Sequence, residues 1–328
     1  MADHIRIAIV GYGNLGVGVE TALAKNPDMQ LVGIYTRRPP EHIKPARSGT
    51  PVHGMDVLPA HAERIDVLIL CGGSKEDLPQ QAPALAARFN TVDSFDTHAR
   101  IPEYFAAVDA PARDNRRTAL VSAGWDPGMF SINRVFGEAL LPDGVTYTFW
   151  GKGLSQGHSD AIRRVPGVAA GVQYTIPVQE AVDRVRGGTR PALATREKHT
   201  RECFVVLEEG ADAEAVRKAI TSMPHYFDEY DTSVTFISAE ELRRDHRAMP
   251  HGGFVIRSGN TSAECVQVIE YGLKLDSNPE FTASVLVAYA RAVHRMNLSG
   301  QYGAKTVFDV PPGMLSPKSA AQLRAEHL

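Results

Sequence analysis

Ile5-Arg6-Ile7-Ala8-Ile9-Val10-Gly11-Tyr12-Gly13-Asn14-Leu15-Gly16 is the stretch that decides the fold of this chain. Its apolar first half predicts a buried strand of a parallel sheet, and the run from Leu15 predicts a helix. G-x-G-x-x-G lies between them: Gly11 permits the tight turn, Gly13 lets a pyrophosphate approach, and Gly16 lets the helix pack closely on the strand. The pattern alone is weak, because glycine turns are common, but the flanking strand and helix favour dinucleotide binding. The predicted cofactor-binding residues of this turn are Gly11, Tyr12, Gly13, Asn14, Leu15 and Gly16.

A pair of arginines indicates which dinucleotide binds. A second short strand, residues 31–35, is followed by Thr36-Arg37-Arg38. This triplet lies about 20 residues after the glycine turn, where an acidic residue holds the ribose of NAD and an arginine suits the 2′-phosphate of NADP. We therefore predict NADP(H) as the cofactor; the alternative is a solvated loop that happens to carry two arginines.

Strands and helices continue to alternate up to about residue 124, which predicts an α/β fold with a Rossmann-like, doubly wound parallel sheet. One strand, residues 65–71, ends in Gly72-Gly73-Ser74, and we expect Gly72 and Ser74 to contact the cofactor. Ligands of such sheets lie at the carboxyl ends of the strands.

Three aspartates, Asp93, Asp96 and Asp126, follow predicted strands in this region. Carboxylates at strand ends suit a substrate amine. Helix capping or turn formation is the commoner role of such aspartates. The residues alone leave both roles open.

From residue 131 the pattern changes to short strands typical of an α+β domain with a mainly antiparallel sheet. We predict a dinucleotide-binding domain at 1–124, completed by about 276–328, and a substrate and dimerisation domain at 125–275. A polar loop at 151–160 contains three glycines and is expected to form a mobile lid or a flexible surface segment. Its His158 and Asp160 are a candidate general-base pair, and His251 is another candidate.

The bulk composition excludes several classes of protein. Among 328 residues, 43% are hydrophobic and 22% charged, with a net charge of −3, so neither nucleic acid nor an anionic membrane is an expected partner. No apolar run reaches the roughly 18 residues that span a bilayer. The three cysteines lack metal-ligand spacing, and no other metal motif occurs, so we expect no metal and a reduced, cytoplasmic protein. The early first strand leaves no expected room for a signal peptide.

Several longer stretches carry a resemblance to a known family. The stretches that carry it are Ala8–Gly16, Val121–Arg134, Phe149–Asp160, Met249–Gly253 and Leu273–Thr282. The most specific are Trp-Asp-Pro-Gly-Met-Phe-Ser and Leu-Ser-Gln-Gly-His-Ser-Asp. On these stretches the chain resembles the meso-diaminopimelate D-dehydrogenase family along nearly its whole length.

The resemblance implies a homodimer that carries out NADP-dependent, reversible oxidative deamination at the D centre of meso-2,6-diaminopimelate, giving L-2-amino-6-oxopimelate and ammonia. It implies that Asp93 and Asp126 hold the reacting amino group as catalytic residues. The implied substrate-binding residues are Trp125, Gln156 and Gly157 around the D-centre carboxylate, Thr175, Arg201 and His251 at the distal L centre, and Asp160. Arg37 and Arg38 would bind the 2′-phosphate.

One pair of residues departs from the family. Glu264-Cys265 stands where the family usually has Asn-His before Ile-Glu-Tyr. A carboxylate beside the distal carboxylate of the substrate would repel it.

Two other functions remain open on sequence. The first is an NADP-linked reductase of a cyclic or semialdehyde intermediate, which would not need ammonia. The second is a non-catalytic NADP(H)-binding protein, since a fold alone does not confer chemistry.

Overall fold

The computed structural model describes residues 4–328, which divide into two compact units. Unit 1 runs to Ile132 and resumes at Pro279, and unit 2 is Asn133–Asn278. The first boundary therefore lies eight residues after the predicted 124. Backbone bonds explain the difference, because the Met129 and Phe130 N–H groups donate to the carbonyls of Gly124 and Trp125 over 3.0 and 2.8 Å.

Unit 1 alternates strands and helices. In chain order up to the boundary, its elements are β1 (Ile5–Val10), α1 (Asn14–Leu23), β2 (Met29–Thr36), β3 (Val52–Gly54), β4 (Val67–Leu70), α2 (Asp77–Ala86), β5 (Thr91–Asp93), α3 (Ile101–Asp114), β6 (Thr118–Leu120) and the start of α4 (Met129–Leu140).

Unit 2 contains most of α4 and a run of short strands and helices. Its further elements are β7 (Gly144–Trp150), β8 (Gly153–Leu154), α5 (Gln156–Arg163), β9 (Val168–Pro177), α6 (Gln179–Arg186), α7 (Thr195–Lys198), β10 (His199–Leu207), α8 (Ala213–Thr221), β11 (Asp231–Phe236), α9 (Ala239–Asp245), β12 (His251–Ser262) and β13 (Cys265–Leu275). The chain then returns to unit 1 with α10 (Asn278–Leu298), β14 (Gly303–Lys305) and α11 (Ala320–His327).

The sheet of unit 1 is parallel and buried on both faces, which confirms the predicted Rossmann-like fold. Within residues 4–328 its strand order is β14-β6-β5-β4-β1-β2-β3. Alternate side chains of β1 point to opposite faces: Ile7 and Ile9 join the core formed with α1 and α10, whereas Ala8 and Val10 join the core formed with α2 and α3. The apolar run at the start of the chain thus serves two cores at once.

The C-terminal part is bound to unit 1 through α10. Arg291, fully buried, pairs with Asp28 at 2.6 Å and donates to the carbonyl of Leu315 at 2.7 Å. The sequence predicts a tail from Pro311, but α11 forms within that segment. Buried arginine bonds to main-chain carbonyls explain how a polar segment is held against the domain.

Unit 2 is built on two sheets, so the predicted α+β class is confirmed. In the described part of the chain one sheet has the order β11-β10-β9-β8, and the other has the order β13-β12-β7. Their pairings are antiparallel except for β10 with β11.

Two segments of unit 2 differ from the sequence prediction. The predicted lid at 151–160 contains β8 and the start of α5, which Ser155 caps by accepting from the His158 N–H at 3.4 Å. Strand β13 was not among the predicted strands, although Ile269, Tyr271, Leu273 and Leu275 alternate with more exposed residues along it. Among the described helices, none has the length and apolar character needed to cross a membrane.

Candidate functional site

The glycine turn of unit 1 borders a cavity of about 530 Å³. Gly11 has φ +88°, and a Cβ placed on Gly16 would lie 2.5 Å from the Gly11 carbonyl oxygen. No atom lies within 4 Å of a Cβ placed on Gly13 in the described structure, so the backbone there is open to a ligand. Because α1 begins at Asn14, next to Leu15, its first N–H groups lie at this turn.

The predicted 2′-phosphate residues line the same cavity. Thr36 is buried at the end of β2, and its hydroxyl accepts from the Arg38 N–H at 3.0 Å. The guanidinium of Arg38 donates to the Tyr12 carbonyl, and that of Arg37 pairs with Asp77. Two cations beside a glycine turn and a helix N-terminus are the donor set that a phosphorylated dinucleotide needs, so the residues present fit NADP(H).

The end of β4 forms the opposite wall. Gly72 lines the cavity, and the next N–H, of Gly73, donates to Asp77 at 3.0 Å. The hydroxyl of Ser74 accepts from the Asp96 N–H at 3.1 Å. Ser74 thus bonds to the turn that follows β5 and is not one of the residues that line the cavity in the described structure, so its contact with the cofactor stays a prediction.

Two aspartates, the last residue of β5 and one just after the strand, have different environments. Asp93 is 1% exposed, and its carboxylate accepts from the Tyr104 hydroxyl at 2.7 Å and from the N–H groups of Phe95 and Ser122 at 2.9 and 3.1 Å. Burial raises the pKa of Asp93 above its ordinary value. Asp96 is exposed. Asp93 is therefore occupied with internal bonds, while Asp96 is the accessible carboxylate at this strand end.

The turn after β6 carries Trp125 and Asp126. Trp125 is 7% exposed and its ring meets Phe130 edge to face at 5.3 Å, whereas Asp126 is half-buried. Gly128 has φ +130°, and a Cβ there would lie 1.9 Å from the Gly124 carbonyl oxygen, so only glycine fits. This tight turn fixes the position of the Asp126 carboxylate at the strand end.

In unit 2 the strand register brings together Thr175, Arg201 and His251. Thr175 of β9 is paired with Arg201 of β10 and with Gly153 of β8. The ring of His251 covers Gly153, since a Cβ there would lie 2.5 Å from the imidazole. The three predicted distal residues therefore lie on neighbouring strands, although they are far apart in sequence.

Arg201 is a buried cation. Its side chain donates to the Thr175 hydroxyl and stacks on Tyr230, with the guanidinium carbon 3.9 Å from the ring centroid. The residue is 6% exposed, and its Nε has no hydrogen-bond partner among residues 4–328. Burial lowers the pKa of Arg201, yet guanidinium stays charged at neutral pH. A buried guanidinium with an unused donor is suited to binding a carboxylate.

Of the residues predicted to act in the α5 segment, some face open space and others are bonded within the segment. The Gln156 amide approaches the Met249 sulfur at 3.5 Å, and Gly157 lies in open space. Asp160 pairs with Arg163, whereas His158 bonds to the Ser155 hydroxyl at 2.8 Å. The predicted His158–Asp160 base pair is therefore wrong, because each side chain has another partner. Burial and, to a smaller degree, the charge of Arg201 lower the pKa of His158 to about 4.

Glu264 does not lie near His251, so it does not place a repelling carboxylate beside the predicted distal residues. Strands β12 and β13 form a hairpin in which His251 pairs with Leu275 at one end and Ser262 pairs with Cys265 at the other. At about 3.3 Å per residue, Glu264 is roughly 35 Å along the strands from His251.

Asn278, which the sequence analysis did not single out as a site residue, lies close to the His251 segment. Its N–H donates to the Met249 carbonyl at 2.9 Å. Only the fold reveals this proximity, because Asn278 and His251 are 27 positions apart in sequence, with most of the β12–β13 hairpin between them.

No group of three or more His, Cys, Asp or Glu side chains in residues 4–328 is arranged to hold a metal ion. The glycine turn, the cavity beside it and the two arginines define unit 1 as a dinucleotide-binding domain of the kind that oxidoreductases use.

Comparisons with known proteins identify the family. Residues 124–277 match the diaminopimelic acid dehydrogenase C-terminal domain. The chain is 61% identical to the meso-diaminopimelate D-dehydrogenase of Lysinibacillus sphaericus over 324 residues, 99% of each chain. The chain therefore belongs to the meso-diaminopimelate D-dehydrogenase family, and it is an amino acid dehydrogenase, as predicted.

Solved structures of related dehydrogenases have the same fold as this chain. A six-substitution variant of meso-diaminopimelate dehydrogenase from Clostridium tetani, crystallised with diaminopimelate, superposes with a TM-score of 0.94 at 50% identity over 99% of this chain and 100% of that one. An engineered D-amino acid dehydrogenase bound to NADP⁺ superposes with a TM-score of 0.86 at 46% identity, covering 99% of this chain and 100% of that one.

The depressed pKa of His158 predicts a pH effect on stability. Between 6.5 and about 4 the folded side chain stays neutral while the unfolded chain takes up a proton, so stability falls as pH falls. His158→Asn should remove this contribution, at most about 1.4 kcal/mol per pH unit. Urea midpoints at pH 6.5 and 4.5 measure it, with exposed His42→Asn as the control. An equal acid-induced drop in wild type and His158→Asn would contradict the assignment.

Proposed function

We propose that the chain catalyses reversible, NADP-dependent oxidative deamination of meso-2,6-diaminopimelate at its D centre, yielding L-2-amino-6-oxopimelate and ammonia. The observation that carries the proposal is the buried Arg201 with an unused Nε donor beside Thr175. Leaving a buried polar group unsatisfied is costly, so such a guanidinium favours an anionic partner. Family membership makes the distal carboxylate of diaminopimelate that partner.

The cofactor is NADP(H) rather than NAD(H). Thr36, Arg37 and Arg38 provide a hydroxyl and two cations at the position where a 2′-phosphate binds. An engineered family relative at 46% identity is bound to NADP⁺. When bound, the nicotinamide supplies the hydride acceptor.

The distal L centre is held by Thr175, Arg201 and His251, and we add Asn278. The six substituted residues of the Clostridium tetani variant are of the types Gln, Thr, Arg, Pro, His and Asn. The same types recur in this chain, in the same order and with the same spacings, at Gln156, Thr175, Arg201, Pro250, His251 and Asn278. Binding energy at this distal end orients the reacting end of the substrate.

At the D centre, Asp126 holds the reacting amino group and takes part in its deprotonation. We assign the second carboxylate to the exposed Asp96 rather than to Asp93. Asp93 becomes a positioning residue, since its internal bonds to Tyr104 and the backbone order the turn that carries Asp96. Water then attacks the iminium carbon left after hydride loss, and ammonia departs.

The D-centre carboxylate is bound by the start of α5. Gln156 is exposed and offers its amide, and Gly157 leaves space for the ligand beside the helix N–H groups. Trp125 supports the Asp126 turn through its contact with Phe130, and Asp160 fixes α5 through Arg163.

The two alternative functions, a reductase and a non-catalytic NADP(H)-binding protein, fit this chain less well. An NADP-linked reductase of a cyclic or semialdehyde intermediate has no need for two carboxylate sites, whereas this chain offers Arg201 and the α5 start. Membership of a dehydrogenase family weighs against a non-catalytic binding protein. The cysteines at 71, 203 and 265 are free thiols, which supports the proposed cytoplasmic location.

Asp126→Asn should lower kcat by about 100-fold or more, because the amide cannot accept a proton from the substrate. The dissociation constant for NADPH should stay within twofold, and both quantities are measured by steady-state kinetics and fluorescence titration. Exposed Asp114→Asn in the same unit is the matched control. Weakened NADPH binding with unchanged kcat would remove Asp126 from the catalytic role.

Arg201→Met should reduce kcat/KM for meso-diaminopimelate by about 10- to 100-fold, the value of one charge-assisted bond or two. Discrimination against D-amino acids with an apolar side chain should shrink as well, since their recognition does not use the distal carboxylate. Assays with both substrates measure this, and exposed Arg164→Met is the control. An unchanged preference for the dicarboxylate would contradict the role.

We also propose a homodimer that covers the outer face of α4. Val135, Phe136 and Leu140 are 47, 53 and 66% exposed, while Gly137 on the same helix packs on Arg257. Exposed apolar residues grouped on one helix are typical of a protein interface. Phe136→Glu should shift the mass measured by light scattering from dimer to monomer, whereas Phe308→Glu, at another exposed phenylalanine, should not. A monomeric wild type would contradict the proposal.

A further inference from the structure

The two arginines of the proposed 2′-phosphate site have different partners. Arg38 donates to a neutral acceptor, the Tyr12 carbonyl. Arg37 instead forms an ion pair with Asp77, and both residues line the 530 Å³ cavity. One of the two cations is therefore already neutralised by a carboxylate within the cofactor site.

The Asp77 carboxylate is held where it is. Its second oxygen accepts from the Gly73 N–H at 3.0 Å, and it is the first residue of α2. A Cβ placed on Gly72 would lie 2.7 Å from the Asp77 Cβ, so this side chain fits closely against the β4 turn. Arg37 is the more exposed partner, with 62% of its side chain accessible against 29% for Asp77. The cation can move more easily than the carboxylate.

Electrostatics makes this arrangement selective. A phosphate that binds Arg37 must share the guanidinium with Asp77 or displace it, and it also meets the repulsion of a like charge. NAD⁺ lacks the 2′-phosphate and escapes both effects. We propose that Asp77 is a specificity-determining residue that competes with the 2′-phosphate for Arg37 and so weakens binding of NADP(H) selectively.

The consequence is a cofactor site with moderated affinity. Arg38 and Thr36 still attract the 2′-phosphate and favour NADP(H) over NAD(H). Asp77 lowers the affinity for NADP(H) and so makes this preference smaller. Weaker binding of the coenzyme speeds its release. Product release limits the turnover of many enzymes. This inference rests on the proposed NADP(H) site.

Asp77→Asn is the direct test, because the amide keeps an oxygen for the Gly73 N–H but loses the charge. Dissociation constants for NADP⁺ and NAD⁺ are measured by calorimetry at fixed ionic strength. NADP⁺ should bind about 2- to 5-fold more tightly, in line with an exposed ion pair, and NAD⁺ should change by much less than twofold. Glu76→Gln removes the same charge one residue earlier, where the side chain makes no capping bond to α2 in the described structure, and should have little effect.

Arg37→Gln completes the cycle. In that background Asp77→Asn should tighten NADP⁺ binding clearly less than in the wild type, since the competition for Arg37 is gone and only the repulsion between Asp77 and the phosphate remains. A gain that persists undiminished without Arg37, an equal gain for both coenzymes, or a loss of NADP⁺ affinity in Asp77→Asn would each overturn the inference. A wild type that binds NADP⁺ no better than NAD⁺ would instead overturn the proposed 2′-phosphate site itself.

Discussion

The close approach of α1 to the end of β1 is the constraint on which the rest of the cofactor site depends. A side chain on Gly16 would collide with the Gly11 carbonyl, so the helix can begin at this place only with glycine. That approach brings the first N–H groups of α1 to the cavity and fixes the Tyr12 carbonyl, to which Arg38 donates. Phosphate recognition therefore follows from backbone geometry at β1, with the charged side chains added at the end of β2.

In unit 2 the main constraint is Arg201, a cation that is buried without an anionic partner in the described part of the chain. Thr175 and the ring of Tyr230 partly solvate Arg201, and its Nε is left without a partner among residues 4–328. A protein keeps a cation in that condition at a cost in stability, which the distal carboxylate of the proposed substrate would offset on binding. In the proposed function the same residue selects substrates that carry a second carboxylate.

The sequence predicted what depends on local pattern. Strand, turn and helix around Gly11 are adjacent in the chain, and Arg37 and Arg38 follow directly on a strand, so their meeting at one sheet edge could be inferred from the parallel fold. The residues alone could not show which of Asp93 and Asp96 is accessible to a ligand. The difference depends on Tyr104 of the later helix α3, whose hydroxyl donates to Asp93. The segment expected to be a lid contains the start of α5, which Ser155 caps. The β12–β13 hairpin is long enough to place Glu264 far from His251. After the hairpin the chain returns, so that Asn278 bonds to Met249 near His251. Thr175, Arg201 and His251 were assigned by resemblance, since register between distant strands is not visible in one sequence.

The central claim is that the enzyme adds and removes ammonia at a carbon next to a carboxylate while a second carboxylate is held by Arg201. The most direct measurement is NADPH oxidation with L-2-amino-6-oxopimelate, followed at 0 and at saturating ammonia by absorbance of the reduced nicotinamide. The account predicts oxidation that requires ammonia and yields meso-diaminopimelate. Oxidation at the same rate without ammonia would contradict it and would indicate a simple reductase.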